Sequence, residues 1–142
     1  MIWVIDASVA VRWFLEEESH PHAQAVLRRM VDRPGFFAVP ELFPFEVYAV
    51  LCRIHPRGSD VFINGLMPIL NNGIFRQPMT ETLARYANRY VKKGLTGYDA
   101  CYAALAFELK GTWLTFDQSA HKLIKADHIS HDLTKSMPEN WE

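Results

Sequence analysis

Short strand-like runs recur along this chain, IWVI at 2–5, FFAV at 36–39, IFRQ at 74–77 and TWLTF at 112–116, with helical patterns between them. That alternation limits the fold more than any other feature. Runs of this length bounded by turn formers are strands, and the continuous apolar character of IWVI and FFAV suits strands covered on both faces. Strands separated by helices of this length pair in parallel. The pattern predicts an α/β fold in three layers, with helices on both faces of a mainly parallel sheet.

The intervening segments carry their own start and stop marks. HAQAVLRRMV places Ala23, Val26, Leu27, Met30 and Val31 on one stripe, and Pro34-Gly35 ends that helix. ELFPFEVYAVLCRI predicts a helix over 41–54 with Pro44 in its first turn, where a missing N–H is tolerated. A further helix over 59–71 is opened by Ser59 or Asp60, and Asn72-Gly73 turns the chain. Thr80 caps TETLARYANRYVKK, and Gly94 takes the left-handed position after it. Thr96, with Asp99 at capping-box spacing, opens LTGYDACYAALAFELK, which Gly111 closes. SAHKLIKA is a short helix, and the tail from about 128 reads as an edge strand and loop. The whole of 1–142 is expected to form one domain, since no repeat or linker divides it.

Charge excludes one class of function. A net charge of −1 is not that of a strongly basic nucleic-acid binder, and the positive residues are local: Arg28-Arg29, Arg53 and Arg57, Lys92-Lys93, Lys122 and Lys125. Cys52 and Cys101 lie in apolar helical runs without paired spacing and are expected to be reduced core thiols. No secretory start and no bilayer-length apolar run is present, so the expected localisation is cytoplasmic, with no membrane partner.

The carboxylates are more informative. Ligands of parallel sheets bind beyond the carboxyl ends of the strands. Asp6 follows the first run and Asp117 the last, so both fall on one rim. Glu46 lies between Phe45 and Val47 in its helix, and Asp99 lies in a first helical turn, which favours an anion. Carboxylates that converge raise one another's pKa unless a cation sits among them. All-oxygen ligation suits Mg²⁺ or Mn²⁺. The histidine pairs His20-x-His22 and His128-x-x-His131 lack zinc-site spacing. No GxSxG, GxGxxG or GxxxxGK[ST] occurs. Ala7-Ser8 after Asp6 does not make the D-x-D of an aspartyl phosphatase, and the acidic pair and lysine of a receiver domain are missing. Trp13-Phe14, next to Glu16-Glu17-Glu18, is a candidate contact patch.

Three segments together, VIDASVAV, VPELFPFEVYAVL and LTGYDACYAALAFELKGTWLTFD, resemble the PIN-domain ribonucleases, in particular the VapC-like toxins of prokaryotic toxin–antitoxin pairs. The resemblance covers most of the chain. It implies a three-layer α/β/α PIN-like domain and a metal-dependent hydrolase, an endoribonuclease cleaving RNA phosphodiester bonds with Mg²⁺ or Mn²⁺. By position, Asp6, Glu46, Asp99 and Asp117 match the family's four acids as catalytic and metal-holding residues. Ser8 and Thr115 match hydroxyl residues that orient them. The partners implied are an RNA substrate, a cognate antitoxin and a second copy in a homodimer. The sequence departs from the family pattern at Gln118-Ser119, where no further acid follows Asp117, and at Val50, where many relatives carry asparagine. The other reading is a non-catalytic PIN-like module that holds an antitoxin or another protein.

Overall fold

The computed structural model describes residues 1–141. Strands β1 (Trp3–Ile5), β2 (Phe37–Pro40), β3 (Phe75–Gln77), β4 (Thr112–Thr115) and β5 (Ser130–Asp132) form one sheet in the order β3-β2-β1-β4-β5. Every pairing is parallel, and central Val4 lies between Ala38 and Trp113. The helices are α1 (Ala7–Ala10), α2 (Pro21–Asp32), α3 (Leu42–Ile54), α4 (Gly58–Val61), α5 (Met67–Leu70), α6 (Glu81–Val91), α7 (Gly97–Glu108) and α8 (Gln118–Ile124). Right-handed crossovers send α1–α5 to one face and α6–α8 to the other, because the direction across the sheet reverses after β3. The three-layer expectation holds.

Burial follows the sequence periods. On α6 the buried residues are Leu83, Ala87 and Tyr90, one stripe of an amphipathic helix. On α7 every residue from Ala100 to Ala106 is buried, and its four alanines bring the helix close against β1, β2 and β4. Thr80 and Thr96 cap as expected, their hydroxyl oxygens accepting from the N–H groups of Leu83 at 3.0 Å and Asp99 at 3.1 Å. No helix among the described residues is long and apolar enough to cross a membrane.

Three local expectations are corrected. The helical segment after α3 begins at Gly58, with neither Ser59 nor Asp60 capping it. Its entry is set by a close backbone approach instead: a Cβ at Gly58 would lie 2.2 Å from the Leu51 carbonyl oxygen. After α7 the left-handed residue is Lys110, with φ 54°, and not Gly111. Gly111 is required for a different reason, since a Cβ there would lie 2.3 Å from the Ile2 carbonyl oxygen. Cys101 is buried but Cys52 is exposed, because it falls just off the stripe made by Phe43, Val47 and Leu51. The Trp13 indole donates to the Ala23 carbonyl at 2.8 Å, and Trp13 and Phe14 are both partly exposed.

Candidate acidic site at the strand ends

The chain's path across the sheet reverses between β1 and β4, the place where parallel sheets open a crevice at their carboxyl ends. Asp6 leaves β1 here and caps α1. Its Oδ1 accepts from the Ser8 N–H at 3.0 Å and the Ser8 hydroxyl at 2.5 Å. Its Oδ2 accepts from the Trp113 indole N–H at 3.0 Å and the Thr115 hydroxyl at 2.6 Å. Both hydroxyl oxygens in turn accept a backbone N–H, Ser8 from Phe116 and Thr115 from Asp117, each at 3.0 Å. Each hydroxyl proton is thereby directed at Asp6.

A carboxylate has about four acceptor positions, and all four of Asp6's are occupied by donors. Such an environment fits the anion. Burial pushes its carboxyl up to about 6, the bonds from Ser8, Thr115 and Trp113 hold it down, and Asp99 adds to the rise. Only 5% of the surface of Asp6 is exposed.

The other acids come from three further elements. Glu46, half-buried in the second turn of α3, accepts at Oε1 from the Tyr102 phenol of α7 at 2.6 Å. Burial raises its pKa, and repulsion from Asp99 raises it further, against the Tyr102 bond. Asp99, half-buried in the first turn of α7, is raised by burial and by Asp117, with the Thr96 hydroxyl opposing. Asp117 is exposed and caps α8, its Oδ1 accepting from the Ala120 N–H at 3.0 Å. Asp99 is thus the acid whose charge is felt by Asp6 and Glu46, and it feels that of Asp117 in turn. None of them forms an ion pair among the described residues.

For Mg²⁺ or Mn²⁺ the donor set fits in kind: carboxylate oxygens whose repulsion no protein cation relieves. Among the described residues no three His, Cys, Asp or Glu side chains gather tightly enough to enclose an ion by themselves. A loose set is compatible with Mg²⁺, which typically takes one or two carboxylates and keeps several waters. Asp99 and Asp117 are the more open donors, whereas Asp6 meets an ion through its charge or by giving up one of its four bonds.

Trp113 and Tyr102 also touch the site, and neither is among the site residues expected from the sequence. Their spacing in the sequence sets both beside residues of the site. Trp113 stands two before Thr115, hence on the same side of β4, and Tyr102 stands three after Asp99, hence on the same side of α7. Their rings stack with centroids 6.0 Å apart.

The sequence matches the family described as PIN domain over residues 3–126. No curated protein matches the chain. Solved structures similar to it include VapC20 of Mycobacterium tuberculosis, a sarcin–ricin loop cleaving toxin, with TM-score 0.63 and 13% identity over 84% of this chain and 93% of that one. FitAcB of Neisseria gonorrhoeae is similar with TM-score 0.72 and 14% identity over 94% and 99%. VapBC2 of Rickettsia felis, bound to a DNA fragment from their promoter, has TM-score 0.63 and 12% identity over 93% and 98%. At these identities the likeness is one of fold.

Proposed function

The chain belongs to the PIN-domain family, and from that premise we propose that it is a metal-dependent endoribonuclease, the toxin of a toxin–antitoxin pair. The observation that carries the reading is the coupling of Asp6, Glu46, Asp99 and Asp117, drawn from four elements to one rim with no protein cation among them. Asp99 and Asp117 hold the ion, with Glu46 and Asp6 adding negative charge to the site. A bound Mg²⁺ or Mn²⁺ supplies charge stabilisation on the phosphoryl oxygens and a more acidic water.

The remaining chemistry belongs to the side chains. Glu46, held at Oε1 by Tyr102 and made more basic by burial, takes the proton of the attacking water at Oε2. Asp6, fixed by four donors, keeps the local field negative and holds the end of β4 against the start of α1. Tyr98, 65% exposed beside Asp99, offers a ring on which an unstacked base can lie. RNA as the substrate is supported by the likeness to a toxin that cleaves the sarcin–ricin loop. The partners this reading carries are a cognate antitoxin and a second copy of the chain. Exposed Phe45, Tyr48 and Ile54 on α3 supply apolar surface for them.

Purified protein free of antitoxin is expected to cut single-stranded or loop RNA with Mg²⁺ or Mn²⁺, to stop in EDTA, and to lose the activity as Asp117→Asn. Retention of full activity by that variant places the chemistry elsewhere. A clean, folded protein that cuts no RNA with either ion is the binding module instead.

A further inference from the structure

Beyond Asp117 the rim changes sign. A pocket of about 200 Å³ is lined by Gln118, His121, Lys122, Lys125, Asp132 and Lys135. The first four repeat along α8 and the turn that follows at spacings of three, four and seven, so they share one side of it. Lys122, Lys125 and Lys135 are all exposed, and none is in an ion pair among the described residues. The acids nearby are already engaged. Asp127 pairs with Lys93 at 2.5 Å, and Asp132 accepts from the Thr134 N–H at 2.9 Å and the Thr134 hydroxyl at 2.7 Å.

Three ammonium groups around one pocket, with a single pinned carboxylate, repel one another unless an anion comes between them. The neighbouring His121 registers the crowding: burial lowers its pKa, and His131, Lys125 and Lys135 lower it further, against Asp132. The pocket is also fixed relative to the acidic site. Asp117 caps α8, and the next residue, Gln118, donates from Nε2 to the Thr134 hydroxyl oxygen at 2.8 Å, which in turn bonds Asp132. At about 1.5 Å per residue, Gln118 to Lys125 spans about 10 Å, too long for one phosphate and suited to consecutive phosphates of a strand.

From this we infer that the α8–β5 pocket is the backbone-binding subsite of the RNA, taking the phosphodiester groups next to the one at the acidic rim. The inference rests on the ribonuclease reading and adds to it the missing attraction. A chain of net charge −1 does not draw in a polyanion overall, and its four coupled acids repel one. The lysines offset that repulsion beside the helix that Asp117 caps and set the direction in which the strand leaves.

The test is equilibrium binding of a fluorescent single-stranded RNA to the full chain in EDTA, across a salt series. Each neutralised phosphate of a single strand contributes about 0.7 to the slope of log affinity against log salt. The triple variant K122A/K125A/K135A is therefore expected to lose about 2 from that slope with an unchanged melting temperature. The triple Lys→Arg variant is expected to keep the slope, as is Arg85→Ala, whose side chain pairs with Glu81 on α6. An alanine variant whose slope equals that of the native chain overturns the inference, and so does a native chain that binds no RNA. Competition by micromolar inorganic phosphate at constant ionic strength overturns the strand in favour of a single-anion site. Mn²⁺-dependent cleavage measured in parallel separates the two readings. Cleavage with an unchanged slope sinks only the subsite, whereas a lysine-dependent slope without cleavage sinks only the hydrolase.

Discussion

Replacing Thr115 by valine removes one hydroxyl from Asp6 and alters little else, because the two side chains have nearly the same shape. Thr115 is fully buried; its hydroxyl donates to Asp6 at 2.6 Å and accepts from the Asp117 N–H at 3.0 Å. A hydrogen bond to a charged group contributes about 1.5–3 kcal/mol, and a buried donor left unpaired costs about 1–3 kcal/mol. The first effect exists only while Asp6 is ionised, and the second is independent of pH. Asp6 is raised from 3.8 to about 6 in the folded protein, so between those values the folded state holds a proton that the unfolded state has released. The native state accordingly loses stability as pH rises from about 4 to about 6, by about 3 kcal/mol, and levels off above. Glu46 and Asp99, also raised, act in the same direction. Valine at 115 lifts Asp6 by roughly one further unit, since one unit corresponds to about 1.4 kcal/mol. Urea unfolding in EDTA is expected to show the variant about 3 kcal/mol less stable than the native chain at pH 8, and only about 1–2 kcal/mol less stable at pH 5. Equal destabilisation at the two pH values would refute the claim that this hydroxyl serves an anion.

Three further outcomes are expected. Tyr102→Phe removes the donor to Glu46 while keeping the ring stacked on Trp113; the Glu46 carboxyl then titrates higher in a carbon-13 NMR series and stability falls by about 1 kcal/mol. An unmoved Glu46 titration would show that the phenol does not hold it. Gly111→Ala forces a Cβ to within 2.3 Å of the Ile2 carbonyl oxygen, and denaturant titration should show a loss of about 3 kcal/mol or more; a neutral result would contradict the close approach. Mn²⁺ at a hundred times its Kd stabilises by about 2.7 kcal/mol, roughly 10 °C in Tm for a chain of this length. Asp99→Asn should abolish that increment, and calorimetry that detects no binding at millimolar Mn²⁺ rejects the metal site.

Much of the architecture was legible because local and global preferences agree. IWVI and FFAV are apolar throughout, TWLTF carries two threonines, and all three lie in the interior strands, while the three threonine and glycine marks at Thr80, Gly94 and Thr96 act where they stand in the sequence. Ser59 and Asp60 misled because a close backbone contact at Gly58 decides the helix start, and sequence spacing does not reveal a contact with Leu51. A similar contact explains Gly111, whose partner Ile2 lies at the other end of the chain. Phe62–Leu66 widens into a π-helix, where a Cβ at Gly65 would lie 2.6 Å from the Phe14 ring, another long-range contact invisible to periodicity. Of the candidate site, the acids and the two hydroxyls could be placed by the rim argument and the family pattern. Trp113 could not be told from a core residue without its indole N–H aimed at Asp6.

The donors around Asp6 have a consequence for the order of synthesis. Two of them come from Ser8, next door, but Trp113 and Thr115 lie 107 and 109 residues further along. During translation β1 is made long before β4, the neighbour that completes its surroundings. Until β4 emerges, Asp6 has half its donors, Asp117 has not been made, and β1 lacks one of its two partners. A ribosome-bound chain therefore lacks the assembled acidic rim until β4 has emerged. The four donors and the rim they anchor are completed together, by the long-range pairing of β1 with β4.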